Sequence, residues 1–398
     1  MTDLTTTRRA LLGGVAGAAA LGSAAPLARA AAAPPLPSSP VALNVIDVAG
    51  QLQLTQGAME GYAKANPKLV SKIAFSQAPA PELAGKLKAQ QDAGRMDIDL
   101  VLTGTDGLAA GIAGKLWIPL VTDYAAALPD LKSIYLPGAL KMQGLAENQA
   151  VCVVFCPAGP ILEYMPDKVP QPPKTAQDLL DWAKAHPRRF IYARPANSGP
   201  GRTFLQGLPY ILGDKDPMDP DKGWDKTWAY LIELGKTIEY YPTGTGAVMK
   251  ELAEGSRDMI ASHLGWDLNP RILGVVPKEA AMATLQNFHW VTDAQYWAVP
   301  KGVSNDKLAV LLDMTKYMLS KPAQAMTYDK GYFYPGPAVK DVPLSMAPPE
   351  SQKLIAEYTR PFYAKLIAEV PSEVPLPADK LVYAFQRWDQ QVGARVGK

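Results

Sequence analysis

Val41-Ala-Leu-Asn-Val-Ile46, Lys72-Ile-Ala-Phe-Ser76 and Met96-Asp-Ile-Asp-Leu-Val-Leu102 are three short apolar runs, and the intervals between them carry helix patterns, Thr55 to Asn66 and Pro81 to Ala93. The first helix ends at Asn66-Pro67, because proline disfavours helical backbone in the residue before it. Strand, helix, strand, helix, strand at this spacing predicts parallel βαβ units and an α/β fold. Ligands of such sheets gather beyond the carboxyl ends of the strands. That rule places Ala49 to Gln53, Gln77 to Ala80 and Thr103 to Asp106 along one rim. Gln51, Thr103, Thr105 and Asp106 are its candidate ligand-binding residues.

Outward from this unit, residues 157–289 carry a second complete set of elements. Thr175 and Asp178 form the capping-box pattern at the start of a helix in Pro172-Pro-Lys-Thr-Ala-Gln-Asp-Leu-Leu180. Arg189-Phe-Ile-Tyr-Ala193 reads as a strand, followed by the Gly-rich turn Asn197-Ser-Gly-Pro-Gly-Arg-Thr203 and a helix from Thr203 to Leu212. Helices are expected at Trp224 to Leu234 and Ala247 to Gly255, and a strand at Met259 to Ser262. Tyr296 to Pro300 reads as one more strand and Lys307 to Leu319 as a helix. From Pro349 onward two amphipathic helices are joined by the Pro-rich linker Val370 to Pro377. No internal repeat is present.

At the N-terminus, Arg8-Arg9 precedes an apolar run from Ala10 to Ala25 and the small-x-small pattern Ala28-Arg29-Ala30. Residues 1–30 therefore read as a twin-arginine (Tat) export signal cleaved before Ala31, and residues 31–40 as a disordered leader. The expected location is the periplasm, without lipid attachment or membrane insertion. The whole chain carries 40 basic and 38 acidic residues. Removing the signal balances the two signs, which leaves no electrostatic footprint for nucleic acid. Cys152 and Cys156 lie four apart on an apolar run, a separation of about 13 Å in a strand. A disulfide needs Cα atoms within about 7 Å, so two buried free thiols are expected. No Cys/His cluster has metal-ligand spacing, no cofactor motif is present, and neither a G-x-S-x-G elbow nor an HExxH motif is visible.

Several phrases in order resemble the extracellular solute-binding proteins of ABC importers, in particular the polyamine/thiamine/iron-type group with its YnjB-like branch. They are Ala63-Lys-Ala-Asn-Pro67, Pro173-Lys-Thr-Ala-Gln-Asp-Leu-Leu180, Gly246 to Met259, and Trp297-Ala-Val-Pro-Lys-Gly302 with Lys321-Pro-Ala-Gln-Ala325. Asp97 to Val101 matches only in position. The resemblance implies a two-lobed, type II-like periplasmic binding protein fold with two crossover strands and a ligand cleft. Residues 41–150 and 298–342 would form lobe one, and 151–297 lobe two with the crossovers. Residues 343–398 would form C-terminal helices packing across the lobes. It implies a monomer that is not an enzyme, without cofactor, delivering a small-molecule ligand to an ABC permease.

Trp266-Asp267 follows a strand end and offers an aromatic face beside a carboxylate, which suits a cationic or heteroaromatic ligand. The other reading makes Trp266 core and Asp267 a helix cap. In polyamine-type relatives a tryptophan matching Trp266 lines the cleft. Ser198, Gly199, Arg202 and Thr203 sit in a Gly-rich turn at a helix start, whose free N–H groups suit an oxyanion or carboxylate; an ordinary capped helix is the alternative. Trp290, Asp293 and Gln295 fall in the second crossover, which faces the cleft in the family. Tyr332 and Tyr334 are expected near the cleft for the same family reason. Iron-binding relatives carry an adjacent tyrosine pair where this chain reads His263-Leu-Gly-Trp266, which argues against a ferric site. The favoured ligand is an organic cation or polar heteroaromatic. A carboxylate or oxyanion ligand, or a Tat-exported enzyme, is the alternative.

Overall fold

The computed structural model describes residues 32–395, so the expected export signal lies outside the described residues. Residues 32–40 run without helix or strand into the first sheet. That sheet contains β1 (Val41–Asp47), β2 (Val70–Gln77), β3 (Leu100–Thr103) and β4 (Ala150–Gly159). A second sheet is built from β5 (Ile161–Tyr164), β6 (Phe190–Ile191), β7 (Met259–Ser262) and β8 (Ala281–Ala283) in the order β6-β7-β5-β8. The chain then returns to the first sheet through β9 (Trp290–Ala298), β10 (Gly336–Pro337) and β11 (Ser372–Glu373). The order there is β10-β4-β9-β3-β1-β2, with β11 pairing β9.

The parallel pairs β1–β2 and β1–β3 are the βαβ units read from residues 41–107. β3 is shorter than expected: Asp99 donates its N–H to the Asn44 carbonyl at 2.9 Å, but the returning bond, from the Asn44 N–H at 2.8 Å, goes to the Asp99 carboxylate, which also holds Lys307. β9 starts six residues before the expected strand. It runs antiparallel to both β3 and β4 with every residue buried. The Thr175–Asp178 capping box is formed. Cys152 and Cys156 are free and buried, and burial pushes both thiols up.

Each sheet has its own apolar core, the first around Leu43, Val151 and Trp297, the second around Leu179, Phe204 and Leu231. The expected division differs in one respect. β4 and β9 are hydrogen-bonded into the first sheet, and they do not stand apart as linkers of the second. The C-terminal segment makes a third crossing. Its helices Pro349–Tyr358 and Tyr363–Glu369 bury Ile355 and Tyr363 in the first core, the break between them falling at Pro361, which has no N–H to continue a helix. The Pro-rich linker then pairs with β9 as β11. The Leu376 N–H donates to Gln206 Oε1, and helix Ala378–Gln391 buries Leu381, Ala384 and Trp388 in the second core. Among the described residues no helix is long and apolar enough to cross a membrane.

Candidate functional site

Between the two sheets lies a cavity of about 570 Å³, a size suited to a small-molecule ligand. The carboxyl ends of β1, β2 and β3 supply one wall, through Asp47 to Gly50, Gln77 to Ala80, Gly104 and Asp106. The facing wall comes from Ala196 to Gly199, Arg202, Thr245, His263 and Trp266, and the floor from Asp293 and Gln295 on β9. Tyr332 and Phe333 close the side.

Helix Gly199–Leu212 begins four residues before the expected start, with Ser198 as its N-cap accepting the Gly201 N–H. Arg202 therefore stands in the first helical turn. Its Nη2 donates to Asp293 Oδ2 at 2.7 Å, and its Nη1 lies 4.0 Å from Asp106 across the cleft. Burial pushes the Asp293 carboxyl up, against the pull of Arg202. Ser198 and Thr245 hydroxyls share a hydrogen bond of 2.7 Å, joining two helix starts. His263 caps helix Leu264–Ile272 by accepting the Trp266 N–H on Nδ1 at 3.4 Å. Burial and then the Arg202 charge lower its pKa to about 3, so the imidazole is neutral near pH 7. The Asp47 carboxylate is held by the backbone N–H groups of Ala49 and Leu52.

Trp266 meets Tyr332 edge-on with ring centroids 5.7 Å apart. The Tyr332 hydroxyl lies over Gly50, whose φ of +72° and lack of a side chain both matter, since a Cβ would stand 2.7 Å from that oxygen. Gly265 is tighter still: its Cβ would stand 2.0 Å from the Tyr332 carbonyl. Gly265→Ala is accordingly expected to destabilise the protein by about 1–3 kcal/mol through overpacking. Urea unfolding reads this directly, and an unchanged midpoint would mean that helix and turn are not packed as described.

Of the residues singled out from sequence, Asp106, Ser198, Gly199, Arg202, Trp266, Asp293, Gln295 and Tyr332 line the cavity. Gln51, Thr103, Thr105 and Thr203 are buried and are not among its lining residues. Thr103 and Thr203 donate their hydroxyls to the Gly104 and Pro200 carbonyls, while the Gln51 amide and the Thr105 hydroxyl have no partner. Two placements need correction. Trp290 is a core residue: it packs on Phe288 and donates its indole N–H to the Leu366 carbonyl, because alternation along β9 turns it away from the face that carries Asp293 and Gln295. Asp267 neither faces the cleft nor caps its helix; it is fully buried against Arg271, Arg360 and Tyr363. Tyr334 packs near Tyr363 and does not line the cavity. His263, Asp47, Asn197 and Phe333 were not singled out. The first two sit at or just past strand carboxyl ends and were within reach of the strand-end rule. Among the described residues no group of three His, Cys, Asp or Glu side chains could hold a metal ion.

Residues 57–357 match the family of bacterial extracellular solute-binding proteins, and the chain belongs to that family. No curated protein matches it. Solved structures share the fold at low identity. The apo ferric ion-binding protein A of Pasteurella haemolytica is 14% identical with a TM-score of 0.62, over 90% of this chain and 99% of that one. A putative spermidine/putrescine ABC transporter protein from Listeria monocytogenes is 13% identical with a TM-score of 0.61, over 89% and 99%. The periplasmic binding protein AfuA of Actinobacillus pleuropneumoniae, with fructose-6-phosphate bound, is 16% identical with a TM-score of 0.61, over 88% and 98%.

Proposed function

We propose that this chain, as a member of the bacterial extracellular solute-binding proteins, captures an organic cation in the cleft between its two lobes and delivers it to the permease of an ABC-type importer. The reading includes export to the periplasm by the twin-arginine signal, action as a monomer, and no chemistry on the ligand. The observation that carries the ligand class is the cavity's charge: Asp47, Asp106 and Asp293 face it against the single guanidinium of Arg202. The aromatic wall of Trp266 and Tyr332 adds a surface that attracts cations. Hinge closure between lobes is an established motion of such architectures. One observation favours a carboxylate or oxyanion instead. The helices starting at Gly199 and Thr245 open on the cavity and would attract negative charge.

Isothermal titration of the mature protein against polyamines, thiamine, carboxylates and oxyanions decides between them. Heat from cationic compounds is expected; heat from anions alone would install the second reading. Trp266→Ala is expected to weaken cation binding roughly 2- to 30-fold, the span of a cation–π contact. An unchanged affinity would remove Trp266 from the site.

A further inference from the structure

Among the described residues, Gln295 carries the one buried side-chain atom of the cavity lining that has no hydrogen-bond partner. Its side chain is 5% exposed, and its Nε2 donates to the Ala49 carbonyl at 3.2 Å. That bond fixes which end of the amide is which and leaves Oε1 buried with no donor. A buried acceptor left unmatched is costly, so the site is built for a group bearing N–H or O–H. Asp293 lies two residues along the same strand and therefore on the same face. Its carboxylate already accepts from Arg202 and the Ala294 N–H and keeps lone pairs for one more donor, and the Asp106 carboxylate adds a further acceptor.

The charge count sets a second limit. The Asp47 carboxylate is already held by two backbone N–H groups at a helix start, which offsets its charge. Asp106 and Asp293 against Arg202 leave one negative charge uncompensated, and no lysine lines the cavity. One positive charge on the ligand balances it; a second would meet only Asp47, whose two oxygens are already taken by the Ala49 and Leu52 N–H groups.

Resting on the organic-cation reading, we infer that the cleft selects a singly charged primary amine. Its ammonium N–H groups are received by Gln295 Oε1 and the Asp106 and Asp293 carboxylates, while Trp266 and Tyr332 flank its body. A quaternary ammonium has the same charge and no N–H, so it cannot satisfy Gln295. A diamine satisfies Gln295 but carries surplus charge.

Two matched pairs without hydroxyl groups test this by titration calorimetry on the mature protein: n-butylamine with butyltrimethylammonium, and phenethylamine with its N-trimethyl derivative, with putrescine as the diamine. At least one primary amine is expected to bind roughly tenfold or more tighter than its trimethylated partner, the penalty for leaving one buried acceptor unmatched, and tighter than putrescine. Gln295→Leu is expected to shrink the ratio within the pair towards one. The wild-type ratio decides the matter even if that variant folds poorly. Equal or tighter binding of the trimethylated compound, or of putrescine, overturns the inference while leaving the cation reading intact. No heat from any amine, quaternary ammonium or diamine overturns both.

Discussion

Replacing Asp267 by Asn is expected to lower folding stability by about 3–5 kcal/mol, the loss typical of removing one partner from a buried ion pair. Asp267 has no solvent exposure. Its Oδ2 accepts from Arg271 Nη2 at 2.7 Å, and its Oδ1 from Arg360 Nη2 at 2.5 Å. The Tyr363 hydroxyl donates to it as well. An asparagine keeps the shape and removes the charge, so the Arg271 guanidinium, itself 4% exposed, would be left without its direct counter-ion. Arg360 and Tyr363 lie in the C-terminal segment, whereas Asp267 follows Trp266 in the helix that enters the cavity wall. The carboxylate therefore ties the ligand-facing helix to the tail, and its loss would also free Trp266 from its place against Tyr332. Urea unfolding followed by circular dichroism measures the stability change. Calorimetry on the still-folded fraction measures weakened ligand binding. A variant within 0.5 kcal/mol of wild type, the scatter of ordinary surface substitutions, would mean that the two arginines do not depend on this carboxylate.

The contrast between Trp266 and Asp267 shows what the sequence carries and what it does not. Periodicity is local, so the βαβ reading of residues 41–107 and the carboxyl-end rim were legible. So were the capped helix after Thr175 and the buried thiols. The polar residues of β9 hid it, because Thr292, Asp293 and Gln295 interrupt the apolar run expected of a strand with both faces covered. Asp293 and Gln295 fall where the strand passes the cavity, and Thr292 where it meets β11. The same alternation that turns Asp293 towards ligand turns Trp290 into core, and one residue of register decides between them. Asp267 could not be assigned from its neighbours, since Arg360 and Tyr363 are supplied from over 90 residues away. Strand β11 within the C-terminal segment was illegible for a related reason. A two-residue strand such as β11 has no periodicity of its own, and only the β9 edge beside it makes it a strand. The strand-end rule placed Gln51, Thr103 and Thr105 near the site but could not tell a lining side chain from one turned inward.

Glu163→Gln is expected to stabilise the protein at neutral pH by roughly 3 kcal/mol and to have little effect near pH 4, from linkage of the buried carboxyl to folding. Glu163 lies on β5 with no exposure, and neither carboxyl oxygen has a partner. Burial, and then the nearby charge of Asp267, push its pKa from 4.5 up to about 8, although Arg271, Arg360 and the Ser262 hydroxyl pull the other way. The folded chain thus holds a proton that the unfolded chain releases above pH 4.5. The stability associated with that proton is fully present below pH 4.5 and is lost as pH rises to about 8, above which both states are ionised and the loss is complete. Glutamine keeps the size, carries no charge in either state and can donate towards Asp267, so the penalty disappears. The difference between variant and wild type should therefore grow by up to about 1.4 kcal/mol per pH unit between pH 5 and 8. Combining it with Asp267→Asn should do worse than the sum of the two. Once Asp267 is neutral, Glu163 is the remaining carboxylate able to balance the arginines, and neighbouring groups that share partners are not additive. Urea unfolding of all four proteins at pH 4, 6 and 8 measures both effects. A Glu163→Gln curve parallel to wild type across that range would show that Glu163 is ionised in the folded protein, with the arginines as its counter-ions.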